Sequence, residues 1–469
     1  MNQFKKIAIA NRGEVAVRII HACQELGIET VLLHSDADVT SRAYRLCDQA
    51  ICIGGAPVGE SYLNIQAMIA GAQAAGADAL HPGFGFLSEN ADFARACSEN
   101  KIIFIGPSAD AIGTLGDKIR AKSLARELAI PTIPGYQGDN QDTETLLKQA
   151  EIIGFPVVVK AAAGGGGRGM KILRSSTDAS SLIESAQRES ENAFGSRKVF
   201  LEKYFEQAKH IEVQVFGDAS GKVYPLFERE CSVQRRHQKI IEEALSPSLT
   251  ASLREKILAA SVQLAEKANY KSAGTVEFLV QDGQFYFLEM NTRLQVEHPV
   301  TEMVLGIDLV KAQIMTAQGA PLDWPKNFSP RGHAIECRIY AEDAFSIGIP
   351  SVGLLGSCHW PEGPGRRFEV GFEKGDTISS HYDSMIAKVI VWDETRPRAI
   401  QKMLRVLHDS IVFGVKTNMP FLRQILLHPD FLLGTMTTRF IENHFPGGLP
   451  LSAEDNGEKR CNQHRIFWS

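Results

Sequence analysis

The sequence predicts an α/β protein that begins with a doubly wound parallel sheet, continues with smaller α+β units and ends in a mixed α/β region. Three observations lead to this fold class. Apolar strand-like runs alternate with helical patterns from residue 1 to about residue 115, which is typical of βαβ units. A glycine run joins two short strands near residue 165, and a hairpin pattern covers residues 275–291. The 469 residues, with 44% hydrophobic and 22% charged side chains, suffice for about three globular domains.

The first region shows the alternation most clearly. Lys6–Ala10 has the composition of a buried strand, and Val15 and Ile19 begin a helical apolar pattern after it. Further strands are predicted at Thr30–His34, Ala79–His81 and Ile102–Ile105, with an alanine-rich helix at Ile65–Ala75. Because ligands of parallel sheets bind beyond the carboxyl ends of the strands, we expect the loops at 11–14 and 81–86 to border a binding site.

A turn-rich segment, Pro131–Gly135, predicts a boundary after the first region. The elements predicted beyond it are strands at Phe155–Lys160, Lys171–Arg174, Val199–Lys203, Ile211–Phe216 and Lys222–Glu228, helices ending near 194 and covering about 251–269, and the hairpin 275–291. The last region is predicted to have strands near 333–340 and 381–392 and helices near 396–409 and 418–427. The predicted domains are therefore 1–115, 131–205, 206–330 and 331–447, followed by a polar tail at 448–469.

Charge, cysteine usage and hydropathy exclude several classes of protein. The net charge is −5 and the pI is near 6.3, which argues against a nucleic-acid partner. The eight cysteines include no Cys-x-x-Cys pair, so we expect reduced thiols rather than a zinc knuckle or a disulfide framework. The sequence shows no signal-peptide core and no apolar run of about 18 residues, which predicts a cytoplasmic protein that does not enter a membrane.

A glycine-rich loop follows Lys160. Residues 160–170 read Lys-Ala-Ala-Ala-Gly-Gly-Gly-Gly-Arg-Gly-Met and connect two predicted strands. Glycines let backbone N–H groups approach an anion closely, and Lys160 can direct its ammonium at the same phosphates. The loop lacks the Gly-Lys-Ser/Thr ending of a Walker A motif. A flexible hairpin tip without a ligand is the alternative interpretation.

Polar side chains alternate with apolar ones in residues 289–297. In an extended chain the odd-numbered residues share one face, and these are Glu289, Asn291, Arg293, Gln295 and Glu297. An amphipathic strand with a solvated face is one explanation. We favour the other, an anion-and-metal site, because such a site needs acids, amides and an arginine together.

The hairpin before this run decides whether Glu277 joins the same face. A two-residue turn at Asp282–Gly283 would put Glu277 and Glu289 on opposite faces, whereas a three-residue loop that pairs Val280 with Gln284 brings the carboxylates together. Two carboxylates about 6 Å apart repel by roughly 3 kcal/mol at an effective dielectric constant of about 20, and a divalent cation removes that repulsion. We therefore predict the three-residue loop and a Mg²⁺ site with oxygen ligands.

A basic cluster lies in residues 228–239, where Arg235, Arg236, His237 and Lys239 are close in sequence. Such a cluster is usually a solvated face or an ion-pair patch. Beside a metal site that holds polyphosphate, the same cluster can bind a small oxyanion. The pattern alone does not choose between these two interpretations.

Taken together, these motifs resemble those of the biotin carboxylases of the ATP-grasp superfamily. The resemblance spans about residues 3–445, and its most specific parts are the strings EMNTRLQVEHPVTE and QRRHQK in one chain. The matching segments are Asn11–Glu14, His81–Asn90, Lys160–Met170, Glu228–Lys239, Glu289–Glu302 and Glu336–Asp343. The resemblance implies ATP-grasp domains in the middle of the chain. One departure is Phe84, where the family most often has Tyr, so a hydroxyl contact near biotin is missing but no catalytic group.

The resemblance also implies a reaction and a set of site residues. ATP and bicarbonate form a carboxyphosphate-like intermediate, and its CO₂ passes to N1 of biotin, giving carboxybiotin, ADP and phosphate. The implied ligands of two Mg²⁺ ions are Glu277, Glu289 and Asn291. The implied nucleotide-binding residues are Lys118, Lys160, Gly165, Gly166, Gly167, Glu202, Lys203, His210, Gln234 and His237. The implied bicarbonate site consists of Lys239, Arg293, Gln295 and Val296, with Glu297 as general base and Arg338 stabilising the biotin enolate.

Elementary chemistry agrees with the last two roles. Bicarbonate must be deprotonated before it is a useful nucleophile, and a positioned carboxylate such as Glu297 contributes typically about 10²–10⁴-fold. The enolate oxygen needs a fixed cation, and the guanidinium of Arg338 stays charged at any working pH. The alternative for Arg338 is a structural ion pair with Glu336 or Glu342. For His81 we expect a hydrogen-bonded loop histidine without a catalytic role.

The resemblance further implies partners. The sequence contains no Met-Lys-Met-type biotinylation motif, so we expect a separate carboxylase subunit that works with a biotin carboxyl carrier protein and a carboxyltransferase. A homodimer is also implied. The expected final acceptor is acetyl-CoA, as in fatty acid biosynthesis, with propionyl-CoA and pyruvate systems as alternatives. Another ATP-grasp carboxylate–amine ligase and a catalytically silent nucleotide-binding subunit are the competing hypotheses.

Overall fold

The computed structural model describes residues 3–161, 170–236, 238–346 and 348–449. Its N-terminal region is a five-stranded sheet in the order β3-β2-β1-β4-β5, with all pairs parallel. The strands are β1 (Lys6–Ile9), β2 (Glu29–Ser35), β3 (Gln49–Gly54), β4 (Ala79–His81) and β5 (Ile103–Phe104). The helices are α1 (Gly13–Glu25), α2 (Arg42–Leu46), α3 (Ile65–Ala74), α4 (Ala91–Glu99) and α5 (Ala109–Leu115). The predicted parallel sheet is confirmed.

Burial explains which N-terminal elements the apolar pattern predicted and which it did not. The apolar face of α1, including Val15 and Ile19, packs into one core with Ile7 and Ile9 of β1. The edge strand β3 was not predicted because its side chains are mostly exposed or half-buried, which removes the apolar periodicity.

A second, smaller sheet follows, in the order β6-β9-β7-β8. Its strands are β6 (Gly135–Tyr136), β7 (Val157–Ala161), β8 (Lys171–Leu173) and β9 (Val199–Lys203), and the helices of this region are α6 (Lys118–Glu127), α7 (Thr143–Ile153) and α8 (Ala179–Phe194). The sheet and two helices enclose their own core, which includes Leu146, Val157, Ile183 and Leu201. The glycine loop at 162–169 lies outside the described residues.

An eight-stranded sheet in the order β14-β13-β10-β11-β12-β15-β20-β18 forms the centre of the molecule. Its strands, with two short outlying pairs, are β10 (Lys209–Gly217), β11 (Val223–Arg235), β12 (Gln238–Ala244), β13 (Ser272–Gln281), β14 (Gln284–Asn291), β15 (His333–Tyr340), β16 (Gly353–Leu354), β17 (Ser357–His359), β18 (Arg366–Val370), β19 (Thr377–Ile378), β20 (Met385–Asp393) and β21 (Ile411–Phe413). Because β12 pairs with β15, this sheet continues across the domain boundary predicted at residue 330.

Helices cover this sheet and complete its cores. They are α9 (Ala251–Lys267), α10 (His298–Leu305), α11 (Leu309–Ala317), α12 (Arg396–Asp409), α13 (Met419–Leu427), α14 (Pro429–Leu433) and α15 (Phe440–His444). Ile335 of β15 and Val389 of β20 share a core with Met403 of α12 and Leu422 of α13. None of the helices in the described ranges is long and apolar enough to cross a membrane. The seven cysteines in these ranges are all free, as expected.

The turn of the β13–β14 hairpin differs from the prediction. Gln281 pairs with Gln284, so the connection is the two-residue turn Asp282–Gly283. Both turn residues have positive φ angles, 52° and 72°, as a type I′ turn requires. The predicted three-residue loop is therefore wrong, because the Asp-Gly pair supplies the turn that best matches the twist of the two strands.

A β-bulge further along the same hairpin brings Glu277 and Glu289 onto one face, which the two-residue turn alone would not do. Phe278 pairs with Phe287, and the next pair is Glu277 with Glu289, so Leu288 is an extra residue in β14. The two glutamates therefore lie directly opposite one another and share a face. The predicted juxtaposition of the two carboxylates is correct, but a bulge produces it and not the loop length.

Candidate active site

The three predicted metal ligands meet on one face of the β13–β14 hairpin. Asn291 is the last residue of β14, and its Nδ2 donates to Oε1 of Glu277 at 2.8 Å. Glu289 lies opposite Glu277 and forms an ion pair with Lys118, with 2.9 Å between Oε2 and Nζ. Two carboxylates and an amide oxygen are hard oxygen donors, which is the donor set that suits Mg²⁺.

Glu277 is buried among positive groups. Its Oε1 accepts from Nζ of Lys239 at 2.8 Å, and its Oε2 lies 2.9 Å from Nε2 of His210. Burial would favour a neutral Glu277, but the charges of Lys239 and His210 outweigh it and lower its pKa well below the usual range. Burial likewise opposes protonation of His210, yet Glu277 raises the pKa of that imidazole. The site therefore holds a carboxylate that stays ionised.

From this point a chain of buried charges crosses the central sheet. Positive and negative groups alternate along it, in the order Arg229, Glu212, Lys239, Glu297, Arg338 and Glu242. All six side chains are between 0% and 11% exposed. Alternation lets each buried charge be compensated by its neighbours, which a single buried ion could not achieve.

Glu297 occupies the middle of this chain. Nζ of Lys239 donates to its Oε1 at 2.8 Å, and Nη2 of Arg338 donates to its Oε2 at 3.0 Å. Burial would raise the pKa of Glu297, but Lys239 and Arg338 outweigh burial and lower it well below the usual range. Glu297 is thus an ionised carboxylate between two cations, beside the metal-ligand set.

One end of this chain of buried charges is held by groups that the sequence did not predict. Arg229 is fully buried and forms an ion pair with Glu212, which in turn binds Lys239. Its other guanidinium nitrogens donate to the hydroxyls of Thr301 at 3.0 Å and Thr275 at 3.1 Å. The apolar and polar residues of β10 and β11 did not predict these buried charges, because both faces of the two strands are buried. A fully buried arginine needs such a set of partners.

The polar residues at 289–297 converge, but not as one extended strand. β14 ends at Asn291, and α10 begins at His298, so residues 292–297 form a connecting loop. Arg293 links this loop, since its guanidinium donates to Gln295 Oε1 at 2.8 Å and to Asn291 Oδ1 at 3.2 Å. The extended-chain prediction is wrong because the helix that starts just after Glu297 forces the chain to turn.

A second partner of Arg293 comes from the N-terminal region. Nε of Arg293 donates to Oε2 of Glu89 at 2.9 Å, and the backbone N–H of Thr292 donates to the same carboxylate at 2.9 Å. Glu89 lies in the segment after β4, where ligands of the parallel sheet were expected. His81, at the end of β4, accepts a hydrogen bond from the backbone of Gly83 at 3.0 Å, which agrees with the expected structural role.

The predicted nucleotide residues lie around the small sheet. Lys160 on β7 donates to Oε2 of Glu202 on β9 at 2.6 Å, and Lys122 binds the other oxygen of Glu202. Burial opposes ionisation of Glu202, but Lys160 and Lys122 outweigh it and lower its pKa. Lys203 donates to the carbonyls of Gly154 and Phe155 at 2.7 and 2.9 Å. Lys122 was missed, since an isolated lysine in a helix carries no signal.

The remaining predicted residues divide between the site, its surroundings and the segments not described. Gln234 is buried and pairs with Lys239 across β11–β12. The carbonyl of Val296 accepts a hydrogen bond from Nζ of Lys388 at 2.8 Å. Gly165, Gly166, Gly167 and His237 lie outside the described residues.

The two alternatives for the basic residues are resolved by their partners. Arg235 forms a bidentate pair with Glu342, at 2.7 and 3.0 Å, whereas Lys239 faces the buried carboxylates. The basic cluster is therefore part ion-pair patch and part site. Arg338 donates to Glu242 and Glu297 rather than to Glu342 or Glu336, and both carboxyl oxygens of Glu336 lack a hydrogen-bond partner among the described residues.

Comparison with known proteins matches the whole arrangement to one group. Residues 3–112 match the biotin carboxylase N-terminal domain, residues 117–324 the ATP-binding domain of the carbamoyl-phosphate synthase L chain, and residues 336–443 the biotin carboxylase C-terminal domain. The biotin carboxylase of Haemophilus influenzae is 46% identical over 440 residues, which cover 93% of this chain and 98% of the relative.

A longer relative and a solved structure extend the comparison. The mitochondrial methylcrotonoyl-CoA carboxylase subunit alpha of Glycine max is 46% identical over 94% of this chain, but the chain spans only 61% of that relative. The crystal structure of the biotin carboxylase domain dimer of Hydrogenobacter thermophilus 2-oxoglutarate carboxylase, in complex with MgADP, ADP and bicarbonate, has a TM-score of 0.88 and 45% identity, covering 95% of this chain and 98% of that one.

Proposed function

The chain belongs to the biotin carboxylase family, and from that premise we propose that it uses ATP and bicarbonate to carboxylate biotin. The observation that carries this proposal is the position of Glu297, an ionised carboxylate held between Lys239 and Arg338 next to the oxygen ligands of Glu277 and Asn291. Such a site can bind a small anion, remove its proton and stabilise a second anion, all beside a metal–phosphate complex.

Glu277, Glu289 and Asn291 are the residues proposed to hold Mg²⁺. When bound, the metal neutralises the negative charge of the phosphates during phosphoryl transfer. Lys118, which pairs with Glu289, and Lys160 would add positive charge along the polyphosphate. Glu202 holds Lys160 in place through its carboxylate at 2.6 Å.

Bicarbonate is proposed to bind between Lys239 and Arg293. The two cations are fixed by carboxylates, since Lys239 is bound to Glu277 and Arg293 to Glu89. A bicarbonate at this position would lie beside Glu297, which then takes its proton. When Lys239 also interacts with the bound bicarbonate, its interaction with Glu297 weakens. The pKa of Glu297 is then lowered less, so Glu297 becomes a stronger base.

Arg338 is proposed to stabilise the enolate of biotin. Arg338 is buried and keeps its charge, since burial opposes the charged form but Glu242 and Glu297 outweigh it and raise the pKa of Arg338. A fixed cation beside the ureido oxygen makes N1 a better nucleophile toward CO₂.

We also propose a biotin carboxyl carrier protein and a carboxyltransferase as partners, assembly as a homodimer, and a location in the cytoplasm. The chemistry proposed for this chain ends at carboxybiotin, so the final acceptor is set elsewhere. Acetyl-CoA is our proposed acceptor, but the relatives compared above include carboxylases named for methylcrotonoyl-CoA and 2-oxoglutarate. Capture of the biotinylated partner with its transferase would identify the acceptor.

The direct test is ADP release by the purified protein with ATP and Mg²⁺. We expect release to require bicarbonate and to rise when free biotin is added, with ¹⁴C-bicarbonate appearing in carboxybiotin. Turnover that depends on another carboxylate and an amine, with no response to biotin, would replace this proposal by a different ligase. Nucleotide binding without any turnover would indicate a silent subunit.

A further inference from the structure

We infer that Glu242 is a positioning residue for biotin carboxylation, which holds Arg338 by its Nε so that the terminal guanidinium nitrogens face Glu297 and the substrates. This inference rests on the proposed function and adds a residue to it. Glu242 belongs to none of the sequence motifs described above, and it does not itself reach the metal-ligand set.

The contact is short, buried and directional. Nε of Arg338 donates to Oε1 of Glu242 at 2.6 Å, while Nη2 of the same guanidinium donates to Glu297 at 3.0 Å. Glu242 is fully buried. Because a guanidinium is planar and rigid, fixing Nε on one side and Nη2 on the other fixes the orientation of the whole group.

The sheet places the two side chains for this contact. Glu242 on β12 pairs with Glu336 on β15, so Arg338 lies two residues along on the same face. The backbone of Arg338 is held separately, because its carbonyl accepts from Nδ2 of Asn418 at 2.9 Å. The orientation of the guanidinium is thus left to Glu242 and Glu297, and Glu297 is the group that must act on substrate.

Only one oxygen of Glu242 is used. Oε2 has no hydrogen-bond partner among the described residues, so the contact with Arg338 depends on one acceptor atom. A glutamine keeps an acceptor oxygen at the same reach but loses the negative charge. An aspartate keeps the charge but withdraws the oxygen by about 1.5 Å, one C–C bond, which breaks a 2.6 Å contact. The two substitutions therefore separate position from charge.

Glu336 provides the matched control. It lies opposite Glu242 in the register of the sheet, is equally buried, and neither of its oxygens has a hydrogen-bond partner within the described ranges. Burial raises the pKa of Glu336 well above its usual value, which favours the neutral acid. Glu336→Gln preserves the shape of the side chain and breaks no hydrogen bond among the described residues, and we expect it to leave kcat unchanged.

The experiment measures kcat and KM for carboxylation of free biotin in the Glu242→Asp, Glu242→Gln and Glu336→Gln variants. We expect Glu242→Asp to lower kcat by about 10- to 100-fold, the scale of a misplaced catalytic group, with the KM for ATP changed by less than about twofold. Glu242→Gln should retain kcat within about threefold. In an Arg338→Lys background, Glu242→Asp should have no further effect, since lysine has no Nε–H to hold.

Three results would overturn the inference. One is a kcat for Glu242→Asp within about twofold of the unmodified protein. Another is a loss in Glu242→Gln as large as in Glu242→Asp, which would mean that charge matters and position does not. The third is an undiminished effect of Glu242→Asp in the Arg338→Lys background. If Glu242→Asp does not fold, as judged by circular dichroism, Glu242→Ala replaces it, and a kcat within about twofold of the unmodified protein then counts against the inference in the same way. An unmodified protein without biotin-dependent turnover would instead refute the proposed function.

Discussion

At the scale of single residues, the site depends on how a buried carboxylate keeps its charge. Glu297 is fully buried and would be neutral if it were alone. Lys239 and Arg338 each bind one of its oxygens, and both cations are themselves compensated by further carboxylates. The consequence is a base that is ionised over the whole physiological pH range and held at a fixed position.

Replacement of Glu297 by glutamine tests this role. Glu297→Gln should lower the rate of biotin carboxylation by about 10²–10⁴-fold, because the amide cannot accept the proton of bicarbonate. Binding of ATP, measured by isothermal titration calorimetry, should persist, since Glu297 contacts neither Lys160 nor Glu202 directly. Unchanged turnover would refute the assignment of Glu297 as the base.

At the scale of elements, the β13–β14 hairpin sets the geometry of the metal ligands. Its turn fixes the register at Gln281–Gln284, and the bulge at Leu288 shifts the register once more before Glu289. Both devices are local, and together they bring Glu277 and Glu289 into direct opposition. A change that strains the turn but keeps this pairing should affect folding of the hairpin more than the chemistry of the site.

Substitution of Gly283 in this turn tests whether the turn affects folding without affecting the chemistry of the site. Its φ angle is 72°, and a Cβ at this position would meet nothing within 4 Å, so Gly283→Ala adds backbone strain without a clash. We expect a loss of roughly 1 kcal/mol in the free energy of unfolding, measured by urea denaturation. The Mg²⁺ concentration that gives half-maximal ADP release should not change.

A glycine in a helix serves as the control, and there we expect the opposite change in the free energy of unfolding. Gly113 lies within α5, has an ordinary φ angle, and a Cβ added there would also meet nothing within 4 Å. Gly113→Ala should stabilise the protein by about 0.5–1 kcal/mol, since alanine is the better helix former. Destabilisation of equal size by both substitutions would show that the φ angle at Gly283 is not the cause.

At the scale of the whole molecule, Lys388 joins three distant parts of the chain. This fully buried lysine on β20 lies 2.7 Å from Glu369 on β18, 3.3 Å from Glu14 at the start of α1, and 2.8 Å from the carbonyl of Val296. It thereby ties the N-terminal region and the C-terminal strands to the loop that carries Glu297.

Lys388→Met should be strongly destabilising. Removing one partner of a buried ion pair costs about 3–5 kcal/mol, because Glu14 would lose the lysine it pairs with and Glu369 would keep only Arg367 and Arg18. The double variant Lys388→Met/Glu14→Gln should recover part of that loss, since it removes the carboxylate that has lost its cation. Thermal unfolding followed by circular dichroism compares the two, and equal melting temperatures would contradict the ion-pair explanation.

The ion pair between Lys388 and Glu369 also makes the stability of the protein depend on pH. Burial would raise the pKa of Glu369, but Lys388 and Arg367 outweigh it and lower the pKa well below its usual value of 4.5. The stability contributed by this carboxylate is therefore complete above about pH 4.5 and is lost as the pH falls toward the folded-state pKa. The difference in melting temperature between Lys388→Met and the unmodified protein should narrow in acid, and a constant difference would contradict this linkage.

Local sequence patterns predicted the parts of the molecule that local physics controls. The parallel sheet, the strand at 333–340 and the helix at 396–409 follow from apolar periodicity, and the structure has them at those residues. The convergence of Glu277 and Glu289 also followed from charge chemistry. Their register did not, because the choice between a longer turn and a bulge depends on the packing of both faces of the hairpin.

Local sequence patterns could not predict the second set of charges around the site. Glu212, Arg229 and Glu242 lie on strands buried on both faces, where no alternation separates a buried charge from a solvated one. Lys388 did leave a signal, as the single charge in the apolar run Met385–Val391. A lone lysine in a central strand indicates a buried partner, and its identity becomes visible only when β18 and α1 are in place.

The pairing of β12 with β15 has a practical meaning for anyone who divides this protein into fragments. A fragment that stops near residue 330 would expose the long free edge of β12, with its row of unsatisfied amides and carbonyls, to other copies of itself. Such raw edges recruit strands from neighbouring molecules, so the shortened polypeptide should precipitate rather than survive as an independent module.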